Sequence, residues 1–394
     1  MAEFPLSVDL RRDVADLQET SIVEVAVHGW GRPGLVPFWF GEGDLPTPQF
    51  VADEAAAALK RGETFYTDQR GIPDLRAALV GYTKRTFGVT VPDTAVTLTT
   101  GGMQALYLAM DLLVAPGDEV AVIGPVWPNI YSTVLVHGGT VTHVSLDMGD
   151  DGWSLDLDTL FAAVTDRTKA IFINSPGNPT GWMMEQEDQK GVLDFARSKG
   201  IWVISDEVYH QLVFDREVAP SFLQVAEPGD RLMVVNSFSK SWMMTGWRLG
   251  WLTHPPEMAA HLAKLIQIQT SGVPQFLQRA AITAIEHGDE TIKALKAQCK
   301  RGRDLTFDRL ESWPNVKASR PKAAFYAFFA VDGMNDSVAA AKDVIDRVNV
   351  GLAPGSAFGP SGEGYLRLCF AASEDTLIRG LDALEGIFGE GSRQ

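Results

Sequence analysis

Between residues 95 and 253 the chain alternates short, unbroken apolar runs with longer stretches of helical spacing. Runs at 95–99, 119–123, 140–146, 169–173, 201–205 and 232–236 are rich in valine and isoleucine, which predicts buried strands, and 246–253 continues the series. Between them Met103, Leu106, Tyr107, Met110, Leu113 and Val114 fall three and four apart, the period of a helix, and 186–199 reads as another. Alternating helices with strands apolar on both faces predicts an α/β fold with a mostly parallel sheet covered on both sides.

The flanks follow other rules. Residues 7–20 read as a short polar helix, 51–61 as an alanine-rich helix, and 73–87 as a helix with Pro73 in its first turn. Residues 21–40 are apolar and aromatic without a clean period, and glycines and prolines then force a loop at 41–48. Beyond residue 256 long helices are predicted at 256–269, 275–287 and 289–311. A strand at 323–329, a helix at 338–348 and a strand at 365–370 follow. A chain of 394 residues exceeds one simple core, so this change of pattern marks a second domain, with helix 289–311 as the connection.

The ends of the predicted strands collect the unusual chemistry. Gly101 and Gly102 follow one, Trp127 a second, Asn178 a third, Asp206 and Tyr209 a fourth, and Ser237, Ser239 and Lys240 a fifth. Ligands of open α/β sheets bind outside the carboxyl ends of the strands, so these groups converge on one edge. A strand, two glycines and a helix start can cradle a phosphate, because first-turn N–H groups lack acceptors, although the pattern is loose. A lysine at a buried strand end either snorkels to water or is held as a nucleophilic amine, and the convergence favours the second. Arg248 offers a second fixed cation suited to a phosphate. Arg367, inside an apolar strand, needs a partner, either a buried structural carboxylate or the carboxylate of a ligand.

Composition narrows the choice. A net charge of −16 argues against a nucleic-acid surface. No apolar run reaches membrane-spanning length, and residues 1–13 carry acids without the apolar core of a signal peptide. Cys299 and Cys369, distant and without metal spacing, fit reduced thiols of a cytoplasmic protein. The histidines show no paired ligand spacing, which argues against zinc, and His210 has no GxSxG-like nucleophile beside it. What remains is an amine, an acid, a tyrosine, an asparagine, an indole and a phosphate cradle. These meet the needs of pyridoxal 5′-phosphate held as a lysine Schiff base: an acid for its ring nitrogen, donors for its phenolate oxygen, a stacking face and a phosphate site.

Asn178-Pro179-Thr180-Gly181, Ser205-Asp206-Glu207-Val208-Tyr209, Ser237-Phe238-Ser239-Lys240 with Arg248, and Arg367-Leu368-Cys369-Phe370 resemble the class I/II pyridoxal-phosphate aminotransferases of fold type I. Gly41-Glu42 with Pro46-Thr47-Pro48, Tyr66 with Gly71-Ile72-Pro73, and Gly101-Gly102-Met103 are similar to further signatures of that family, in the same order. The resemblance implies a large domain with a mostly parallel seven-stranded sheet and a smaller α+β domain. It divides the chain into 1–48, contributing to the small domain and a lid, 49–288 for cofactor binding, and 289–394.

It also implies roles. Lys240 would carry the cofactor and then move a proton between the substrate Cα and C4′. Asp206 would face the ring nitrogen, Asn178 and Tyr209 the phenolate oxygen, and Trp127 the ring face. Gly101, Gly102, Met103, Ser237, Ser239 and Arg248 would hold the phosphate, joined by Tyr66 across a homodimer interface. Arg367, with Asn178, Trp127 and the backbone of Gly41, would bind the substrate, Arg367 gripping its α-carboxylate. The implied reaction is ping-pong transfer of an amino group between an L-amino acid and a 2-oxo acid. A C–S lyase, another elimination or a racemase would share the same lysine, acid and arginine. A cofactor-binding sensor would carry a DNA-binding segment, for which residues before 20 leave no room.

Two features bear on the substrate. Aspartate-specific relatives often supply a second arginine for the distal carboxylate from the partner chain, before a Ser-Asn-Pro-like turn; 267–274 contains none, which disfavours a dicarboxylate-only enzyme of that design, although other relatives recruit a different residue. The aromatic segment 27–40 either lines a pocket for a bulkier or neutral side chain or is ordinary core.

Overall fold

A computed structural model describes residues 10–389. Its central sheet has seven strands: β1 Val96–Thr99, β2 Glu119–Gly124, β3 Thr140–Ser145, β4 Thr168–Asn174, β5 Trp202–Asp206, β6 Leu232–Ser237 and β7 Gly250–Thr253. They lie in the order β1-β7-β6-β5-β4-β2-β3, parallel except for β7, which runs against both neighbours. Every residue of β1, β2, β6 and β7 is buried, which is why these strands read as continuous apolar runs rather than alternating ones. Edge strand β3 has only Val144 buried.

Register decides what meets at the carboxyl edge. Asn174 pairs with Asp206, and Gly250 sits between Ser237 and Thr99. The ends of β4 and β5 are therefore level, as are those of β6 and β1, and β6 runs two residues past β5, whose Asp206 pairs with Val235. Because β7 is reversed, its first residues reach the same edge. The strand predicted at 246–253 starts only at Gly250, because Thr245–Trp247 form a 3-10 turn and Arg248 adopts a left-handed conformation at φ 54°.

A second, antiparallel sheet orders Val316–Ala318, Tyr326–Val331, Tyr365–Cys369 and Ala353–Pro354 side by side. The early chain joins this layer: Val36–Pro37 pairs in parallel with Val350–Gly351, and helix Ser21–Gly29 packs on helix Ser337–Val348. That first helix corrects the reading of 21–40 as aperiodic. Ile22, Val25, Ala26 and Gly29 are buried at helical spacing, but Val23 and Val27 fall off this stripe and blur the period. Of the polar helix expected over 7–20, Arg12–Ala15 is helical, while residues 7–9 lie outside the described residues. Helices Asn129–Val136 and Leu157–Ala162, and the hairpin Asp147–Gly149 with Gly152–Ser154, were not expected. Among the described residues no helix is long and apolar enough to cross a membrane.

Candidate active site

β6 delivers Lys240. Ser237 ends the strand and caps the single turn Phe238–Ser241, its Oγ accepting the Ser239 N–H at 3.1 Å. Lys240 Nζ donates to the carbonyl of Gly41 at 2.6 Å, and burial lowers its pKa to about 8. At β5, Asp206 is buried, and its carboxylate accepts one hydrogen bond among the described residues, from Val208 N–H at 3.2 Å. Burial raises this acid to about 7. The following turn returns Tyr209 to the same space, where its hydroxyl is 2.8 Å from that of Tyr326. Burial and the Tyr326 neighbour push Tyr209 well above the usual phenol range, so it stays a neutral hydroxyl.

The Gly-Gly turn expected to cradle a phosphate is built by close approach. Gly101, at φ +89°, precedes helix Gly102–Leu113, and a Cβ on it would lie 2.5 Å from Arg248 Nη2. A Cβ on Gly250 would meet the Asn236 carbonyl at 2.7 Å and Gly102 N at 2.9 Å, so the Gly-Gly turn lies directly across β7. Arg248 Nη1 is held by the Thr245 carbonyl at 2.7 Å. A guanidinium against the positive end of a helix is unfavourable alone and favourable with a dianion between them.

Arg367 is buried in the second sheet. Its Nη1 donates to Asn178 Oδ1 at 3.1 Å, its Nη2 to the Trp39 carbonyl, and its Nε has no partner. The guanidinium lies over Tyr326, 4.6 Å from the ring centroid. Among the described residues no carboxylate forms an ion pair with it, so the buried structural carboxylate considered for it is not found. Asn178 is held in turn by its own N–H, which donates to Asn174 Oδ1 at 2.8 Å.

One cavity of about 350 Å³ joins these groups. Gly41, Gly102, Met103, Trp127, Asn178 and Asp206 line it, as do Tyr209, Ser237, Ser239, Lys240, Arg248 and Arg367. Gly101 stands behind the wall against Arg248. Tyr66 is not brought in; it is 89% exposed.

A model of the family described as aminotransferase class I and II matches residues 37–384. An aspartate aminotransferase of Thermotoga maritima is 36% identical over 345 residues, covering 88% of this chain and 89% of the relative. An alanine aminotransferase from Pyrococcus furiosus superposes with a TM-score of 0.91 at 28% identity, covering 97% of this chain and 100% of that one. An aromatic aminotransferase from Pyrococcus horikoshii superposes with a TM-score of 0.86 at 29% identity, covering 93% and 98%. The chain belongs to the class I and II aminotransferases.

It is therefore a transaminase of the α/β fold expected. Several wall residues of this aminotransferase escaped the sequence reading: Thr20, Ile22 and Val23 from the unpredicted helix region, Leu106, Asn129, and above all Tyr326. Tyr326 touches Tyr209 and Arg367, and a Cβ on Gly41 would overlap its hydroxyl. The signal was available, a tyrosine in an apolar strand two residues from the register partner of Arg367. The aromatic segment 27–40 divides: Trp39 and Phe40 line the cavity, Phe38 is core, and Trp30 is 65% exposed. His210 lies behind the Asp206 turn, with Nδ1 on the Glu207 carbonyl at 2.8 Å and Nε2 on Tyr82 Oη at 2.6 Å. Burial lowers its pKa to about 4, so it is a neutral structural imidazole.

Proposed function

We propose that this cavity binds pyridoxal 5′-phosphate and exchanges an amino group between an L-amino acid and a 2-oxo acid in two half-reactions. One observation carries the reading. Among the described residues two groups at one strand edge lack an ionic partner: a half-buried lysine amine drawn toward neutrality and a buried acid with a single backbone hydrogen bond. An aldehyde cofactor with a protonated ring nitrogen suits both, and a dianionic phosphate suits the Gly101–Arg248 junction.

When bound, pyridoxal phosphate supplies an aldehyde carbon for the amino group and an electron-withdrawing ring for the electron pair left at Cα. Lys240 would hold it through Nζ and, once freed by the incoming amino acid, take the proton from Cα and return it. An amine near pKa 8 can serve in both directions. Asp206 would stay ionised beside the ring nitrogen, while Asn178 and Tyr209 would hydrogen-bond the phenolate oxygen and Trp127 cover the ring. Gly101, Gly102, Met103, Ser237, Ser239 and Arg248 would hold the phosphate. Arg367 would take the substrate α-carboxylate on its unpartnered side, with Asn178 and Gly41 alongside.

The reading extends to a homodimer. Phe65, Tyr66 and Ile268 are 79%, 89% and 80% exposed, large side chains that a single chain leaves in water. Tyr66 would then meet the phosphate site of the partner subunit. The domain division at 1–48, 49–288 and 289–394 is supported by the pairing of Val36–Pro37 with Val350–Gly351. Free, buried Cys299 and Cys369 suit a reducing cytoplasm.

The test takes the two half-reactions in turn. Adding an L-amino acid to the cofactor-loaded protein should convert the cofactor absorbance to that of its amine form, and a 2-oxo acid should restore it. Release of pyruvate from cystathionine without any such conversion would favour a lyase instead.

A further inference from the structure

The cavity contains four charged side chains, Asp206, Lys240, Arg248 and Arg367, and the proposed function assigns all of them. What is left of its wall is neutral. Ile22 and Val23 come from helix Ser21–Gly29, Met103 and Leu106 from helix Gly102–Leu113, and Phe40 and Trp127 from loops. The polar atoms nearby are uncharged too: Thr20 caps the first helix, and Asn129 Nδ2 contacts Met103 Sδ at 3.6 Å.

The charges on the first helix are turned away. Glu24 pairs with Lys342 at 2.6 Å, and His28 lies 3.0 Å from Asp346, both on helix Ser337–Val348. These contacts, with Val25 and Ala26 buried, fix the helix so that Ile22 and Val23 line the cavity. Arg11, ahead of this helix, is engaged by Asp13 and by the Val136 carbonyl at 2.8 Å. Among the described residues of one chain the cavity therefore offers a second substrate carboxylate no cation beyond those already assigned, and 267–274, the stretch from which a partner subunit would supply an arginine, contains no lysine or arginine. A carboxylate buried there would lose its hydration without compensation, whereas an apolar group would be driven in.

We infer that the side chain accepted at this site is uncharged and apolar, aromatic or branched aliphatic, and that Val23 helps set this preference. The inference rests on the transaminase reading above and narrows it, since the similar proteins named above include aspartate, alanine and aromatic aminotransferases.

The experiment compares L-phenylalanine, L-leucine, L-aspartate and L-glutamate in the half-reaction of the cofactor-loaded protein. In parallel, calorimetry measures binding of two unreactive acids, 3-phenylpropanoate and maleate. Phenylalanine or leucine should exceed both acidic donors in rate constant over dissociation constant by about tenfold or more, and 3-phenylpropanoate should bind more tightly than maleate. Val23→Arg, a change at a half-buried position, should narrow the gap by improving aspartate. Aspartate or glutamate exceeding both apolar donors, or tighter binding of maleate, would overturn the inference. If no donor converts the cofactor, the transaminase reading fails, and the calorimetric ranking still decides the nature of the pocket.

Discussion

Arg367, in a strand of the second sheet, and Asn178, in the turn after β4, meet through a 3.1 Å hydrogen bond from Nη1 to Oδ1, with the arginine Nε buried and unpartnered. A guanidinium held through Nη1 and Nη2 with its Nε–H still free keeps one edge for a two-pronged contact with a carboxylate. Arg367→Lys keeps the charge and loses the fork. Steady-state kinetics should show KM raised about 10- to 100-fold for every amino donor, the value of one to two charged hydrogen bonds. A rise confined to one donor would mean that Arg367 reads the side chain.

Gly101→Ala tests the cradle. The new Cβ would sit at φ +89° and 2.5 Å from Arg248 Nη2, so either the turn or the guanidinium must move. Affinity for pyridoxal phosphate, measured by fluorescence titration, should fall by about tenfold or more. Gly117→Ala, at φ +95° with no heavy atom within 4 Å of the added Cβ, serves as a control for backbone strain away from the site and should leave that affinity unchanged.

Asp206 makes a prediction about pH. Its pKa is raised from 3.8 to about 7 by burial, so the folded, cofactor-free chain keeps a proton that the unfolded chain has lost. Stability from this group therefore falls as pH rises from about 4 to about 7, and the deficit is constant above that window. Asp206→Asn removes the deficit. In urea unfolding of the cofactor-free protein the variant should gain on the wild type between pH 5 and pH 8, by up to about 3 kcal/mol. A stability difference independent of pH would contradict a buried acid with one backbone hydrogen bond and no ionic partner among the described residues. With cofactor bound the same substitution should slow turnover strongly, as the ring loses its counter-charge.

Legibility from sequence followed the physics of each element. β2, β4, β5 and β6 were readable because burial on both faces leaves an unbroken apolar run, and their ends located Asn178, Asp206 and Lys240 without knowledge of register. Helix Ser21–Gly29 was hidden because Val23, off the buried stripe, lines the cavity and broke the period. The role of Tyr326 was hidden for a different reason. A tyrosine in an apolar strand was visible, but its nearness to Arg367 depends on the pairing of Tyr326–Val331 with Tyr365–Cys369, two distant segments. Trp39 contributes only a backbone carbonyl to Arg367, so its identity carried no signal.

The account stands on covalent attachment at one amine. The cofactor-loaded protein should be reduced with borohydride, digested and mapped by mass spectrometry. A pyridoxyl group on Lys240, and its loss in Lys240→Ala, is the expected result. Label on another lysine, or none, would contradict the account.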